Sequence, residues 1–382
     1  MEAHSNVRQD LHVLDLRTSE RRQLTDDEGT RYASVNWGPD GDALYLVTDT
    51  NADTRYVARL DLETCALDPV VEGGDWNVEG VNVHPSGRVV YGRNVDGWSE
   101  VTVGQLVGDR TVEPTTTPEL PRGVVGELTV AADGDRAALT HSNRRSPPNV
   151  FVFETATRWT DAGIEALPPE SRCEPEVVRY ESHGAGRDGA DHDGVEPGGA
   201  EDDVADLAGT DPDESDETTL DVPAFYTEPE DAAYGETPVV VDLHGGPEQQ
   251  HRPSFNPLVQ YFVSRGYGVL EPNVRGSTGY GANYEELDDG RRRLDAIADV
   301  AAAVEWLRKR PTVDQDRLAV LGTSYGGFPR ALDADAPPRE VGGGRQYRRH
   351  RRPRRVPRID GRAATEPAGS QIWQPRHRPR VT

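Results

Sequence analysis

The sequence predicts two architectures in tandem: a partial β-propeller over residues 1–165, then a parallel α/β domain, begun but not completed, over residues 166–328. Three observations predict them. Turn-and-strand units recur through the first half with a period in the mid-forties. From residue 237, short apolar runs of strand length alternate with helix-length segments. A Gly-x-Ser-x-Gly turn, residues 322–326, follows the last of those runs.

The repeat is read from three turns. WGPDGD at 37–42, VHPSGR at 83–88 and VAADGD at 130–135 each precede an apolar run. Their glycines fall at 41, 87 and 134, steps of 46 (87 − 41) and 47 (134 − 87). A second element agrees: VLDLRT at 13–18 returns 46 residues later (59 − 13) as RLDLET at 59–64. Each unit reads as antiparallel strands joined by tight turns in which glycine supplies a positive φ. Several strands per unit at this period describe a propeller blade, and a sandwich has no reason to repeat at it. About three to four blades fit before residue 165, the lower limit of closed rings, so the chain is expected to enter its propeller part-way.

Charge divides the chain differently. The 382 residues carry 67 acids and 42 bases, a formal charge of −25. Residues 329–382 hold 5 acids and 14 arginines, so residues 1–328 hold 62 acids (67 − 5) and 28 bases (42 − 14), a balance of −34. Lys309 is the only lysine. Excess acid with scarce lysine reads as a halophilic protein from a GC-rich genome, because high salt screens the self-repulsion of such a charge. No apolar run is long enough to span a bilayer, and the N-terminus lacks the apolar segment of a signal peptide. The expectation is a cytoplasmic chain that binds neither membrane nor nucleic acid. Cys65 and Cys173 are the only cysteines, too few for a disulfide framework or a cysteine-ligated zinc site. No metal or cofactor is expected.

Two strands, at 177–182 and 222–226, flank a segment that carries 13 acids and one arginine over residues 184–219. With almost no large apolar residues it has nothing to bury against its ordering entropy. It reads as a disordered insertion at a hairpin tip. Its spacing lacks the alternation and terminal glutamate of a calcium loop.

The α/β pattern then runs in order. Residues 237–243 (TPVVVDL) form a buried strand and His244-Gly245-Gly246-Pro247 follow at once. Residues 255–265 read as a helix, 268–273 as a strand, 294–310 as a long helix with Trp306 and Leu307 on its apolar face, and 317–321 as another buried strand. That strand enters Gly322-Thr323-Ser324-Tyr325-Gly326. Gly-x-Ser-x-Gly after a strand is the nucleophile elbow of the α/β-hydrolase fold, where Gly322 and Gly326 remove side chains that the sharp turn would drive together. Ser324 is the candidate nucleophile. The backbone N–H groups of Tyr325 and Gly246 are the candidate oxyanion donors, with Gly245 and Pro247 keeping the second loop small. His244 belongs to that loop and is not read as the base, since this fold orders its triad Ser, Asp, His along the chain.

With these motifs in view, residues 237–328 resemble the catalytic domain of the prolyl oligopeptidase family of serine peptidases, in its acylaminoacyl-peptidase-like branch. The resemblance rests on HGGPEQQHRPSFNPLVQYF (244–262), RGYGVLEPNVRGSTGYG (265–281) and DRLAVLGTSYGGF (316–328). It implies a propeller ahead of the hydrolase domain that restricts access to short peptides, free or N-acylated. It also implies that the loop 275–281 lies near the active-site face.

The tail departs from that pattern. An elbow should enter a helix, but residues 329–382 are rich in arginine and proline with no apolar periodicity. Asp333, Asp335, Asp360, His350 and His377 are its only candidates for the missing triad members, and no strand positions them. Reading residues 341–353 one base forward, with arginine written CGN, permits an apolar strand-like run. The tail therefore reads as a shifted frame and the chain as truncated at both ends. The expected function is that of a serine peptidase, inactive as written for want of its Asp and His. The alternatives are a non-catalytic propeller protein and an esterase on the same fold.

Overall fold

A computed structural model describes residues 1–322 apart from 4–8, 27–28, 117–118, 153–156, 166, 184–218, 247 and 289–294. Pro247, Ser324, Tyr325, Gly326, nearly all of the acidic insertion, and the whole tail with its Asp and His candidates lie outside the described residues. All described residues fall within one compact unit, Met1–Pro338.

Three four-stranded antiparallel sheets come first, each a meander. The first holds Tyr32–Trp37, Ala43–Thr48, Tyr56–Asp61 and Leu67–Val71. The second holds Val78–Val83, Arg88–Val95, Trp98–Val107 and Thr111–Thr116, and the third Val124–Val130, Ala137–Asn143, Ser146–Val152 and Thr157–Arg158. Their first strands begin at 32, 78 and 124, two steps of 46 (78 − 32 and 124 − 78). A short ladder of His12–Leu14 with Arg21–Gln23 precedes them.

The repeat extends to individual atoms. Asp15 Oδ1 accepts the backbone N–H of Arg17 and Thr18. Forty-six residues on (61 − 15), Asp61 Oδ1 accepts those of Glu63 and Thr64. Ser19 and Cys65 close the two turns at φ 59° and 58°. The three turn glycines, Gly41, Gly87 and Gly134, adopt φ 73°, 81° and 78°, as their Asp-Gly and Ser-Gly sequences require.

Alternation of side chains explains why the blades stack. Along Ala43–Thr48, Leu44 and Leu46 pack toward Leu11 and Leu24 of the preceding ladder. Tyr45 and Val47 point the other way, onto Val81, Val83, Val89 and Tyr91 of the second blade. Val90, Val101 and Val103 then pack on Ala137, Leu139 and Phe151 of the third. The first two sheets are buried on both faces, and Ala43–Thr48 of the first is accordingly buried along its whole length. These sheets are the blades of a partial β-propeller.

The second half is the beginning of an α/β-hydrolase domain. Its five-stranded sheet is ordered Glu176–His183, Thr219–Thr227, Gly268–Pro272, Thr237–Leu243, Val313–Gly322. The first two strands form an antiparallel pair in register up to His183 and Thr219, so the acidic insertion leaves from the tip of a hairpin. The last three are mutually parallel. Helix Pro257–Ser264 starts where the Asn256 side chain accepts the N–H groups of Leu258 and Val259. It covers one face through Val259 and Val263 on Val269. Helix Asp295–Arg308 covers the other through Ala303 and Leu307 on Val239, Val241 and Leu270. The expectation that 317–321 is fully buried is corrected. The strand is an end strand among the described residues, and only its Leu318–Val320 face lies under a helix while Ala319 is exposed. No helix among the described residues is long and apolar enough to cross a membrane.

Candidate active site

The two motif-bearing strands are paired in parallel register, Asp242 opposite Leu321 and Leu243 opposite Gly322. His244, where the glycine loop starts, and Gly322, the last described residue of its strand, therefore lie side by side at the carboxyl edge of the sheet. That edge is where open α/β sheets place their ligands. Gly246 adopts φ 54°, a left-handed conformation that a side chain would strain.

His244 is spent on structure. Its Nε2 lies 2.9 Å from Ser277 Oγ and its Nδ1 3.2 Å from Gly245 O. Burial, and then the neighbouring His251, push its pKa down to about 4, so the ring stays neutral at ordinary pH. Ser277 itself donates to Val274 O.

Further hydrogen bonds stitch the 244–252 loop to the 273–281 loop. Thr278 N donates to Gln249 O at 3.0 Å. Asn273 accepts from His251 N at 2.7 Å and donates to His251 O at 3.1 Å. Tyr284 OH donates to Asn273 O at 2.7 Å. Arg275 anchors the second loop to the long helix by a two-pronged pair with Asp299, at 2.9 and 2.6 Å, while Asp299 also accepts Arg275 N. Asp299 is fully buried. The loop 275–281 thus braces the glycine loop that starts at His244.

The propeller holds the same loops from the other side. Arg252 places Nη1 on both Glu79 carboxylate oxygens, Nη2 on Ser99 Oγ and Nε on Gly97 O. Asn94 donates to Gln250 at 2.7 Å. Glu285 receives Arg31 and Arg55 of the first blade. A cavity of about 470 Å³ lies among the blades, lined by Asn36, Glu79, Tyr91, Ser99 and Val125. Glu79 and Ser99, which line this cavity, are also the residues that Arg252 contacts.

Sequence reasoning brought His244, Gly245, Gly246 and Gly322 to one edge of the sheet, and the structure brings them together there. It missed Asn273, Asp299 and a group made of the half-buried Asp242 and His251 with the buried Glu271 and Arg144. Burial and Glu271 push Asp242 up to about 6, and burial pushes Glu271 upward despite Arg144. One signal for Asp299 was available. It sits on the stripe Ala296, Asp299, Ala303, Leu307, where every other member is apolar and buried. A carboxylate in such a stripe demands a partner.

The sequence profile of the prolyl oligopeptidase family matches residues 253–332. Dipeptidyl aminopeptidase BIII of Pseudoxanthomonas mexicana is 36% identical over 91 residues, 24% of this chain and 13% of that protein. Acylamino-acid-releasing enzyme 1 of Oryza sativa subsp. japonica is 34% identical over 91 residues, 24% of this chain and 12% of that one. In fold, prolyl oligopeptidase B of Galerina marginata superposes with a TM-score of 0.66 at 18% identity, covering 84% of this chain and 41% of that chain. The chain spans less than half the length of the solved structure, and the sequence match covers about an eighth of the curated relatives. Residues 253–332 are thus similar in sequence to the prolyl oligopeptidase family, and the fold is similar to that of its solved structures.

Proposed function

We propose that the chain is a serine peptidase of that family, hydrolysing short or N-acylated peptides through an acyl-enzyme on Ser324. The observation that carries the reading is the Leu243–Gly322 register, which starts the nucleophile elbow beside the glycine loop. In the proposed reaction, Ser324 Oγ bonds to the carbonyl carbon and passes its proton to a base. The N–H groups of Gly246 and Tyr325 donate to the resulting oxyanion, in the arrangement that usually contributes most to acyl transfer. Collapse expels the amine, which takes up the proton, and water then releases the acyl group from Ser324.

The base is the open element. In this fold it is a histidine that follows an aspartate, both downstream of the serine, and the sequence of residues 329–382 has no apolar periodicity around its Asp and His residues. We read that tail as out of frame and the chain as written as largely inert, since an unactivated serine is a poor nucleophile. We also read the protein as working in a salt-rich cytoplasm, from the −34 balance over residues 1–328. The absent base equally suits a non-catalytic propeller protein, and an esterase would share the acyl chemistry.

A fluorophosphonate probe tests this reading on the 382-residue chain. Weak or no labelling of Ser324 is expected. Ready labelling that disappears in Ser324→Ala would show that a tail histidine reaches the site, and that the frame argument is wrong. Coding DNA across codon 328, with an Asp and a His intact in the shifted frame, favours a peptidase; their loss there too favours the non-catalytic protein.

A further inference from the structure

Asp242, His251 and Glu271 end three separate segments: the strand before the glycine loop, the loop itself, and the neighbouring strand. Each offers one ligand atom, and the three atoms lie within 4.8 Å of one another. Three features of the group bear on what it could hold.

The first is the histidine tautomer. His251 Nε2 lies 2.9 Å from Asp242 O, so Nε2 carries the hydrogen and donates it to that carbonyl. Nδ1 then holds a lone pair, and it faces Glu271 Oε1 at 3.5 Å. With Glu271 ionised, two acceptors face each other there. Metal-bound histidines are held in this way, the second ring nitrogen tied to a backbone carbonyl or carboxylate.

The second is charge. Two carboxylates share the site with one guanidinium, that of Arg144, whose Nη2 meets Glu271 Oε2 at 2.5 Å. With both carboxylates ionised, one negative charge is left without a cation among the described residues. The third is Arg144 itself. Its side chain is fully buried, and its Nε and Nη1 have no hydrogen-bond partner among the described residues. Buried N–H groups of a charged side chain require acceptors.

We propose that Asp242, His251 and Glu271 bind a divalent transition metal, zinc or manganese. A cation would fill the space onto which the three lone pairs converge. A hydroxide or chloride in its remaining position would accept from Arg144. Imidazole with two carboxylates suits zinc and manganese, whereas calcium and magnesium take oxygen ligands. Ligand atoms bound at about 2.0–2.2 Å lie roughly 3.5 Å apart in a tetrahedron, so small side-chain rotations close the site. The metal would tie the strand end before His244 to the loop end at His251 and to the strand that leads to Asn273, fixing the oxyanion loop from beneath.

The test uses the full 382-residue chain, stripped with a chelator and titrated calorimetrically with zinc chloride in concentrated potassium chloride. One tight equivalent is expected, with a rise in melting temperature, and no comparable binding of calcium or magnesium. Asp242→Asn keeps shape but loses charge, and His251→Gln keeps a donor to Asp242 O but loses the ligand. Each should weaken that equivalent by at least about tenfold, while the histidines outside the site bind as before. Far-UV circular dichroism confirms that each variant is folded, and either one alone suffices for the comparison. Zinc binding that is unchanged in the folded variants, or no tight equivalent in the parent chain, overturns the proposal. This readout is independent of peptidase activity.

Discussion

Leu243 and Gly322 stand opposite one another across two parallel strands. One is the last residue before the His-Gly-Gly-Pro loop and the other is the first of the Gly-x-Ser-x-Gly turn. A one-residue slip would turn every side chain of the strand to the other face. The register is held because Val239 and Val241 must bury on the same side as Leu318 and Val320, beneath the helix Asp295–Arg308. Core packing thereby sets which two backbone loops share an edge.

The Arg275–Asp299 pair should dominate the stability of the bracing loop. Arg275→Ala leaves a fully buried carboxylate unpaired and should cost about 3–5 kcal/mol in denaturant unfolding. Arg136→Ala, which breaks an exposed pair with Asp133, should leave the midpoint unchanged. Equal effects would show that the buried pair does not brace the loop.

Acid should loosen the third blade through His141. Burial holds its pKa below the ordinary value, and its Nε2 lies 2.8 Å from Pro121 O. The folded state then binds fewer protons than the unfolded chain, so stability is lost as pH falls below the unfolded value of about 6.5. His141→Gln should flatten that part of the stability–pH curve. An unchanged slope in the variant would rule His141 out as its source.

Much of this was legible in the sequence, and the reason differs by element. The blades were readable because the Asp15 and Asp61 turns, and the glycines at 41, 87 and 134, are local chemistry repeated at a fixed interval. The glycine loop was readable because it needs small residues in consecutive positions, whereas residues 323–326 of the Gly-x-Ser-x-Gly turn lie outside the described residues. The braces were not. Asn273 to His251, Arg252 to Glu79 and Arg144 to Glu271 join residues 22, 173 and 127 apart, and no periodicity encodes such pairings. The final strand was misjudged as fully buried because an apolar run does not reveal whether both faces will be covered.

Removing residues 184–218 and joining His183 to Thr219 through Asn-Gly should leave the fold intact. These two residues already face each other in register, the position that a two-residue turn bridges. The melting temperature in high salt should move by less than about 2–4 °C, near 1 kcal/mol at this size. A larger fall would mean that the acidic segment packs on the domain.

Salt should stabilise the chain. Between about 0.15 M and 1 M the screening length falls from about 8 Å to 3 Å, which should relieve repulsion among the surplus acids of residues 1–328. A melting temperature that rises steadily with potassium chloride is expected. A flat profile would remove the case for halophily.

The most direct measurement restores the frame. Shifting by one base near codon 328, with the downstream sequence and the further blades supplied, should yield a chain that cleaves short free or N-acylated peptides faster than matched esters. Ser324→Ala should abolish that cleavage, since losing the serine of a complete triad costs on the order of 10⁶ in rate. Cleavage that survives Ser324→Ala, or a shifted frame that meets early stops and encodes no Asp and His, would contradict the account.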